Sequence, residues 1–344
     1  MWARWRRRCI SNTAALRSKG KAMWHALDET QNPSKMQDLE LRMNKTERAC
    51  QVRGRLTRDE PMSRHSSWHA GGPARYYFEP KDLADLATYL AAIPAEEPLL
   101  WLGLGSNLLV RDGGFPGTVI ATAGILDKLQ IDRGGAVRVE SGVASARVAK
   151  KTSRAGLTGA EFLVGIPGTM GGALAMNAGA FGAEIWDLVT SVVTLNRSGH
   201  IATRARQEFR VGYRHVSMTG DEWFISALLQ LQPDAEGKSG QLLKEYLEKR
   251  AATQPVGRPS CGSVFRNPPG DYAARLIEAC GLKGVHRGAA CVSDKHANFI
   301  INRGGATATD IEQLIRHVQE TVHSKYSVAL EPEVKVVGNN RKHH

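Results

Sequence analysis

Long apolar runs are missing from this 344-residue chain: none approaches the roughly 18 to 20 uninterrupted apolar residues of a membrane span. A secretory signal is missing too, since no charged start precedes an apolar stretch and a small-residue cleavage site. These absences predict a cytoplasmic protein. Cysteine is scarce, and Cys9, Cys50, Cys261, Cys280 and Cys291 form an odd set without a C-x-x-C pair or metal-ligand spacing. A disulfide framework and a zinc site are therefore not expected, nor is any other metal. The Gly-Lys-Ser/Thr ending of a Walker loop does not occur after the glycine-rich turns, and there is no G-x-S-x-G hydrolase elbow.

What the chain does have is a stretch from Gly159 to Gly182, GAEFLVGIPGTMGGALAMNAGAFG, in which few side chains are large enough to hold a ligand away from the backbone. Glycines at 165, 168, 171 and 172 allow successive N–H groups to converge on an anion, although such turns also serve close packing or a sharp bend. A second loop points the same way. Leu99–Gly105 reads as a short buried strand running into Ser106 and Asn107, a second candidate phosphate cradle. The dinucleotide fingerprint fails there because Leu108 stands where its third glycine belongs.

The formal charge is +12, but residues 1–60 hold 14 Lys/Arg against 7 Asp/Glu, which leaves +5 for the remainder. A mildly basic body suits an enzyme of phosphate-bearing substrates better than a nucleic-acid binder. Residues 1–58 are read as a basic, mostly disordered leader. Its alternatives are an over-called start, with Met23, Met36 or Met43 as the true beginning, or a tail whose MWARWRRRCI segment meets an anionic surface.

The length predicts two or three domains and an α+β architecture. Apolar spacing at Leu83, Leu86, Leu90 and Ile93 predicts a helix over Lys81–Ile93, and a second helix runs from Ser145 to Gly156. Strands are expected around Val137–Val139, Ser191–Asn196 and Trp223–Leu231, and a charged connecting helix over Glu236–Ala252. Beyond it come a helix at Ala273–Ala279, a helix opening on a capping box of Thr309 and Glu312, and a strand over Leu330–Val334.

The two glycine-rich loops, with GYRH at Gly212–His215, CGSVFRNP at Cys261–Pro268, SDKHANFIIN at Ser293–Asn302 and LEPEV at Leu330–Val334, resemble the UDP-N-acetylenolpyruvoylglucosamine reductase (MurB) family over some 270 residues in the family's order. The lack of a tyrosine-bearing insertion between Arg214 and Ser263 is similar to its shorter, type II branch. The resemblance implies a two-subdomain FAD-binding fold of the vanillyl-alcohol-oxidase type, with a C-terminal α+β substrate-binding domain. The implied divisions are 59–122 and 123–233 for the FAD-binding subdomains, 234–252 for the connecting helix and 253–338 for the C-terminal domain.

It also implies noncovalent FAD, NADPH as co-substrate, and small-molecule partners only, with neither nucleic acid nor an integral membrane contact. The implied catalytic residues are Ser263 as proton donor, Glu333 as the acid facing the substrate carboxylate and Arg214 as its clamp. Implied cofactor contacts are Gly103, Leu104, Gly105, Ser106, Asn107, Gly165, Ile166, Pro167, Gly168, Thr169, Gly171, Gly172 and Asn177, and substrate contacts are expected at Tyr213, Asn267, Lys283, His296 and Asn298. Two rival functions remain at this level: another flavoenzyme on the same fold, acting as an oxidase or dehydrogenase, and a basic nucleic-acid binder that kept only the fold. Cys261, two residues before Ser263, reads as a buried packing residue.

Overall fold

The structure is a computed structural model that describes residues 52–218 and 220–341. Cys9, Cys50, the candidate starts and all but the end of the basic leader lie outside the described residues. The end of the leader differs from expectation, because Arg55–Pro61 is a strand paired antiparallel with Pro73–Glu79. Its anchor is distant in sequence: the carboxylate of Asp85 accepts the N–H groups of Arg53 (2.7 Å) and Gly54 (2.8 Å). Local composition gives no sign of that tie.

The first unit is a four-stranded sheet in the order Arg55–Pro61, Pro73–Glu79, Phe115–Ala121, Leu99–Leu102, parallel except for its first pair. Helix α1, Leu83–Ala92, begins where the Asp82 side chain accepts the Asp85 N–H, an N-cap of the ordinary kind. It buries Leu86, Tyr89 and Leu90 against Phe78 and Ile120, with the Tyr89 and Phe78 rings stacked 4.1 Å apart.

The second unit is an antiparallel five-stranded sheet in the order Ile201–Ala205, Val189–Asn196, Glu222–Gln230, Ala136–Glu140, Leu129–Ile131. Helices α2, Ser145–Arg154, and α3, Met170–Met176, contribute Val148, Met170 and Leu174 to its core, where Trp186 meets Phe224 edge to face and Phe209 lies tilted against both. Helix α4, Ser239–Thr253, adds Leu243 and stacks Tyr246 on Phe181 with centroids 4.0 Å apart.

The third unit joins α5, Ala273–Ala279, and α6, Ala308–Tyr326, to a small antiparallel sheet of His286–Arg287, Ala290–Val292 and Ile300–Asn302. Its core takes in Trp68, Ala70 and Leu109 from the first unit, and the Trp68 indole donates to the Ile300 carbonyl at 2.7 Å. Two local expectations are corrected here. The capping box of α6 is Thr307 with Asp310, because the Asp112 carboxylate takes the Thr309 hydroxyl and N–H while Glu312 forms a two-point pair with Arg111. Leu330–Val334 is not a strand: Pro332 makes a single bridge to Phe265, and the strand that follows, Lys335–Val337, pairs in parallel with Leu108–Val110. That crossing returns the C-terminal segment to the first unit and carries Glu333 beside the loop at Asn107.

No helix among the described residues is long and apolar enough to cross a membrane.

Candidate active site

A cavity of about 850 Å³ opens where the three units meet, lined by the Gly103–Asn107 loop, segment 165–181, the Tyr213–Arg214 turn, the loop at Ser263, and Glu333. The two glycine loops are joined by the Ser106 hydroxyl, which donates to the Pro167 carbonyl at 2.8 Å. Gly105 has φ +63°, and a Cβ there would stand 1.8 Å from the His65 carbonyl oxygen, so no other residue fits without moving backbone. Gly172 is the reverse case. A Cβ on it would touch nothing, because its open side is the cavity.

Two buried donors on the cavity wall, the Trp101 indole N–H and the Ser141 hydroxyl, have no hydrogen-bond partner among the described residues. Buried polar groups left unpaired are costly, which makes both atoms weak points of the wall, although neither is itself exposed to the cavity. Two glycine-rich loops tied together at Ser106, with open space where a Cβ of Gly172 would stand, fit FAD. Gly103–Asn107, Gly165–Thr169, Gly171 and Gly172 are the residues that would hold it.

Asn177 is a correction. It caps α3 in the left-handed region (φ 44°), and its buried amide is consumed by Glu184 (2.6 Å) and the Gly212 carbonyl (3.1 Å). It supports the hairpin instead of lining the cavity. The strands Arg210–Gly212 and His215–Ser217 form that hairpin, and its two-residue turn presents Tyr213 and Arg214. Arg214 adopts φ +53°, strained for a residue with a Cβ, and is held by hydrogen bonds from its guanidinium to the carbonyls of Gly179 (2.9 Å) and Asn177 (3.3 Å). The guanidinium lies 3.3 Å from a Glu333 carboxylate oxygen, both side chains being 18% exposed. Burial raises the Glu333 carboxyl above its ordinary pKa, and the nearby charges of Arg214 and Arg266 pull only part of the way back.

Ser263 shares the cavity with this pair, and its hydroxyl has no hydrogen-bond partner among the described residues. Gly262 before it has φ +72° and no atom near its missing Cβ, so the approach to Ser263 is open. The loop is fixed from behind. Asn298, 4% exposed, grips Phe265 at both N–H (2.9 Å) and C=O (2.8 Å), and the Glu333 N–H donates to the Val264 carbonyl at 2.7 Å. Cys261 is buried, its sulfur 3.6 Å from the carbonyls of Gly105 and Leu108, and burial pushes its thiol pKa up.

Of the expected substrate contacts, Tyr213, Asn267 and Asn298 line the cavity, although Asn298 spends its amide on Phe265 and Asn267 accepts the Ala273 N–H. Lys283 and His296 do not line it. Lys283 pairs with Glu278 at 2.6 Å, and His296 is packed against the Phe299 ring while its Nδ1 accepts the Asn298 N–H. Sequence reasoning missed Trp101, Ser141, Phe181, Arg250, Arg258 and Lys335, all of which line the cavity. Arg250 ends a helix read as a connector. Positional hints existed for Trp101 and Phe181, which lie inside the two glycine-rich segments, and for Arg258 and Lys335, which lie close to the Ser263 and Glu333 motifs.

The comparisons with known proteins agree with this geometry. The family model "UDP-N-acetylenolpyruvoylglucosamine reductase, C-terminal domain" matches residues 254–337, and "FAD binding domain" matches residues 74–204. A UDP-N-acetylenolpyruvoylglucosamine reductase of Alkalilimnicola ehrlichii is 57% identical over 83% of this chain and 95% of its own length. One of Legionella pneumophila is 55% identical over 83% and 93% respectively. The crystal structure of the reductase from Thermus caldophilus, 33% identical, superposes with a TM-score of 0.71 over 83% of this chain and 99% of that one.

Proposed function

The chain belongs to the UDP-N-acetylenolpyruvoylglucosamine reductase (MurB) family, and we propose that it reduces UDP-N-acetylglucosamine enolpyruvate to UDP-N-acetylmuramate with NADPH, in the cytoplasmic synthesis of peptidoglycan precursors. It is an FAD-dependent oxidoreductase with the two-subdomain FAD-binding fold and a C-terminal α+β domain. The single observation that carries the substrate reading is the half-buried Arg214–Glu333 pair sharing one glycine-floored cavity with an unpartnered serine hydroxyl.

With FAD bound, the chemistry it supplies is hydride transfer, from NADPH and then to C3 of the enolpyruvyl double bond. The residues of the chain handle the rest. Arg214 offers a planar fork to the substrate carboxylate, where negative charge grows as the double bond is reduced. Glu333 faces the same carboxylate and has to be neutral there; burial favours that form. Ser263 Oγ then gives its proton to C2, and the cationic Arg214 helps hold the resulting alkoxide until a proton returns from solvent.

The test is anaerobic reduction of the FAD-loaded protein with one equivalent of NADPH, followed by UDP-N-acetylglucosamine enolpyruvate. Return of the oxidised flavin band with formation of UDP-N-acetylmuramate supports the reading. A flavin that reduces and stays bleached overturns the substrate, and a protein that takes up no FAD overturns the reading of the glycine loops. Neither the Gly103–Asn107 loop nor the Gly159–Gly182 stretch contains a His or Cys for a covalent flavin link, which disfavours an oxidase that tethers its cofactor.

A further inference from the structure

We propose that Arg266, three residues beyond Ser263, is a positioning residue that seats the Arg214 turn and supplies the second positive charge governing whether Glu333 is ionised. The inference rests on the reading of Ser263, Arg214 and Glu333 just given. Its basis is the way segment 264–266 runs beside 331–333: the Arg266 N–H donates to the Glu331 carbonyl (2.9 Å), Phe265 bridges Pro332, and the Val264 carbonyl accepts the Glu333 N–H (2.7 Å). The backbone of Arg266 is thus registered against the segment that carries Glu333. Its side chain turns to the other partner, with Nη2 donating to the carbonyl of Arg214 at 3.4 Å. That carbonyl belongs to the strained residue at φ +53°.

The charge of Arg266 is poorly neutralised by anything else. Its acidic neighbour Glu331 lies 3.6 Å away and is 74% exposed, so water screens most of that attraction. Its Nε–H is buried without an acceptor. The ionisable groups around Glu333 are Arg214 and Tyr213 on the hairpin, Arg266 on the Ser263 loop, and Glu331 and Lys335 on its own segment. Arg214 and Arg266 are the cations that act on its carboxyl. With Glu333 ionised the three form a site of net +1, and with Glu333 neutral the site is +2 when the substrate carboxylate arrives. Removing Arg266 lowers each count by one. Glu333 then holds its proton to higher pH, and the carboxylate is held less tightly.

The experiment is single-turnover reoxidation of NADPH-reduced enzyme by UDP-N-acetylglucosamine enolpyruvate as a function of pH, in R266Q, R266M and R266K. Bound FAD is quantified from its absorption band. A requirement for neutral Glu333 puts an alkaline limb on the wild-type profile. In R266Q and R266M that limb moves up by at least about one pH unit, the size of a unit charge lost about 12 Å away at an effective dielectric near 20 and the lower bound for a closer one, and the substrate concentration for half-maximal rate rises several-fold. R266K keeps the charge and stays near the wild-type limb, with its loss confined to the maximal rate because the bond to Arg214 is gone. A limb that stays in place in both neutral variants, or moves equally in R266K, overturns the proposal. So does loss of FAD from both neutral variants with retention in R266K, which assigns Arg266 to the fold alone. Failure of the wild type to reoxidise at any pH instead overturns the function proposed above.

Discussion

Replacing Gly172 with alanine should separate folding from cofactor binding. The residue lies inside α3, whose backbone is ordinary for any amino acid, and a Cβ built there meets no atom within 4 Å. Alanine loses less conformational freedom on folding than glycine, so the apo protein should gain about 0.5–1 kcal/mol. For a chain of this size that is a rise of about one to two degrees in Tm. The same methyl group stands in the cavity that the glycine floor opens for FAD. If it displaces one charge-assisted hydrogen bond between a backbone N–H and a phosphate oxygen, the loss is about 1.5–3 kcal/mol, roughly 10- to 150-fold in Kd. Thermal unfolding of flavin-free protein and fluorescence titration with FAD measure the two effects separately. An apo protein of unchanged or higher Tm that binds FAD as tightly as the wild type would refute the placement of the cofactor over this glycine. A lowered apo Tm would refute the claim that the position is empty.

Other perturbations test other parts of the argument. Ser263→Ala should still accept electrons from NADPH but reoxidise about 10²- to 10⁴-fold more slowly with the enolpyruvyl substrate, the usual range for a lost general acid; stopped-flow absorbance of the two half-reactions decides, and equal slowing of both would remove Ser263 from its role. Thr307→Ala removes an N-cap whose Oγ accepts the Asp310 N–H at 3.0 Å and should cost about 1 kcal/mol in denaturant unfolding, with no change in FAD affinity. His296 has its pKa lowered from 6.5, first by burial and then by Lys283. A lowered histidine favours the neutral folded state, so its contribution to stability is present above about pH 6.5 and lost as pH falls toward the folded value. His296→Gln should flatten the fall in Tm between pH 7 and 5, and a slope identical to wild type would count against that assignment.

The regular elements were legible because their signals are local. Periodicity placed α1 and α2 within a few residues, Ala273–Ala279 is a helix at the expected bounds, and the alternation around Val137 and Val139 marks a real strand. The errors fall where a distant group overrules the local pattern. Asp85 captures the backbone of Arg53 and Gly54, Asp112 takes over Thr309, and Glu312 goes to Arg111 instead of a cap. At the cavity, motif resemblance found the glycine loops, Arg214, Ser263 and Glu333. It could not tell a residue that faces the cavity from one that holds the wall. Asn177 and Asn298 both read as contacts, yet the amide of Asn177 is spent on the Glu184 carboxylate and the Gly212 carbonyl and that of Asn298 on the backbone of Phe265. That the Trp101 indole and the Ser141 hydroxyl lack partners left no trace in the sequence, since an unpaired buried donor is a property of the packed state alone.

Irregular backbone at the centre of the site has a mechanical consequence. Glu333 sits on a segment without a ladder of its own, because Pro332 donates no N–H and only one bridge joins it to Phe265. Its position is set by three bonds, one within the third unit and two to the first: the Glu333 N–H to the Val264 carbonyl (2.7 Å), the Asn107 amide to the Glu333 carbonyl (3.1 Å), and the Lys335 N–H to the Asn107 carbonyl (3.1 Å). Each contributes only about 1 kcal/mol to stability. Their larger effect is on geometry, where a displacement of about 1 Å at a reacting group can cost on the order of 10²-fold in rate. Asn107 is therefore shared between the floor that would hold FAD and the acid that faces the substrate. Changes at Asn107 should disturb cofactor affinity and the second half-reaction together, whereas changes at Ser263 should reach only the latter.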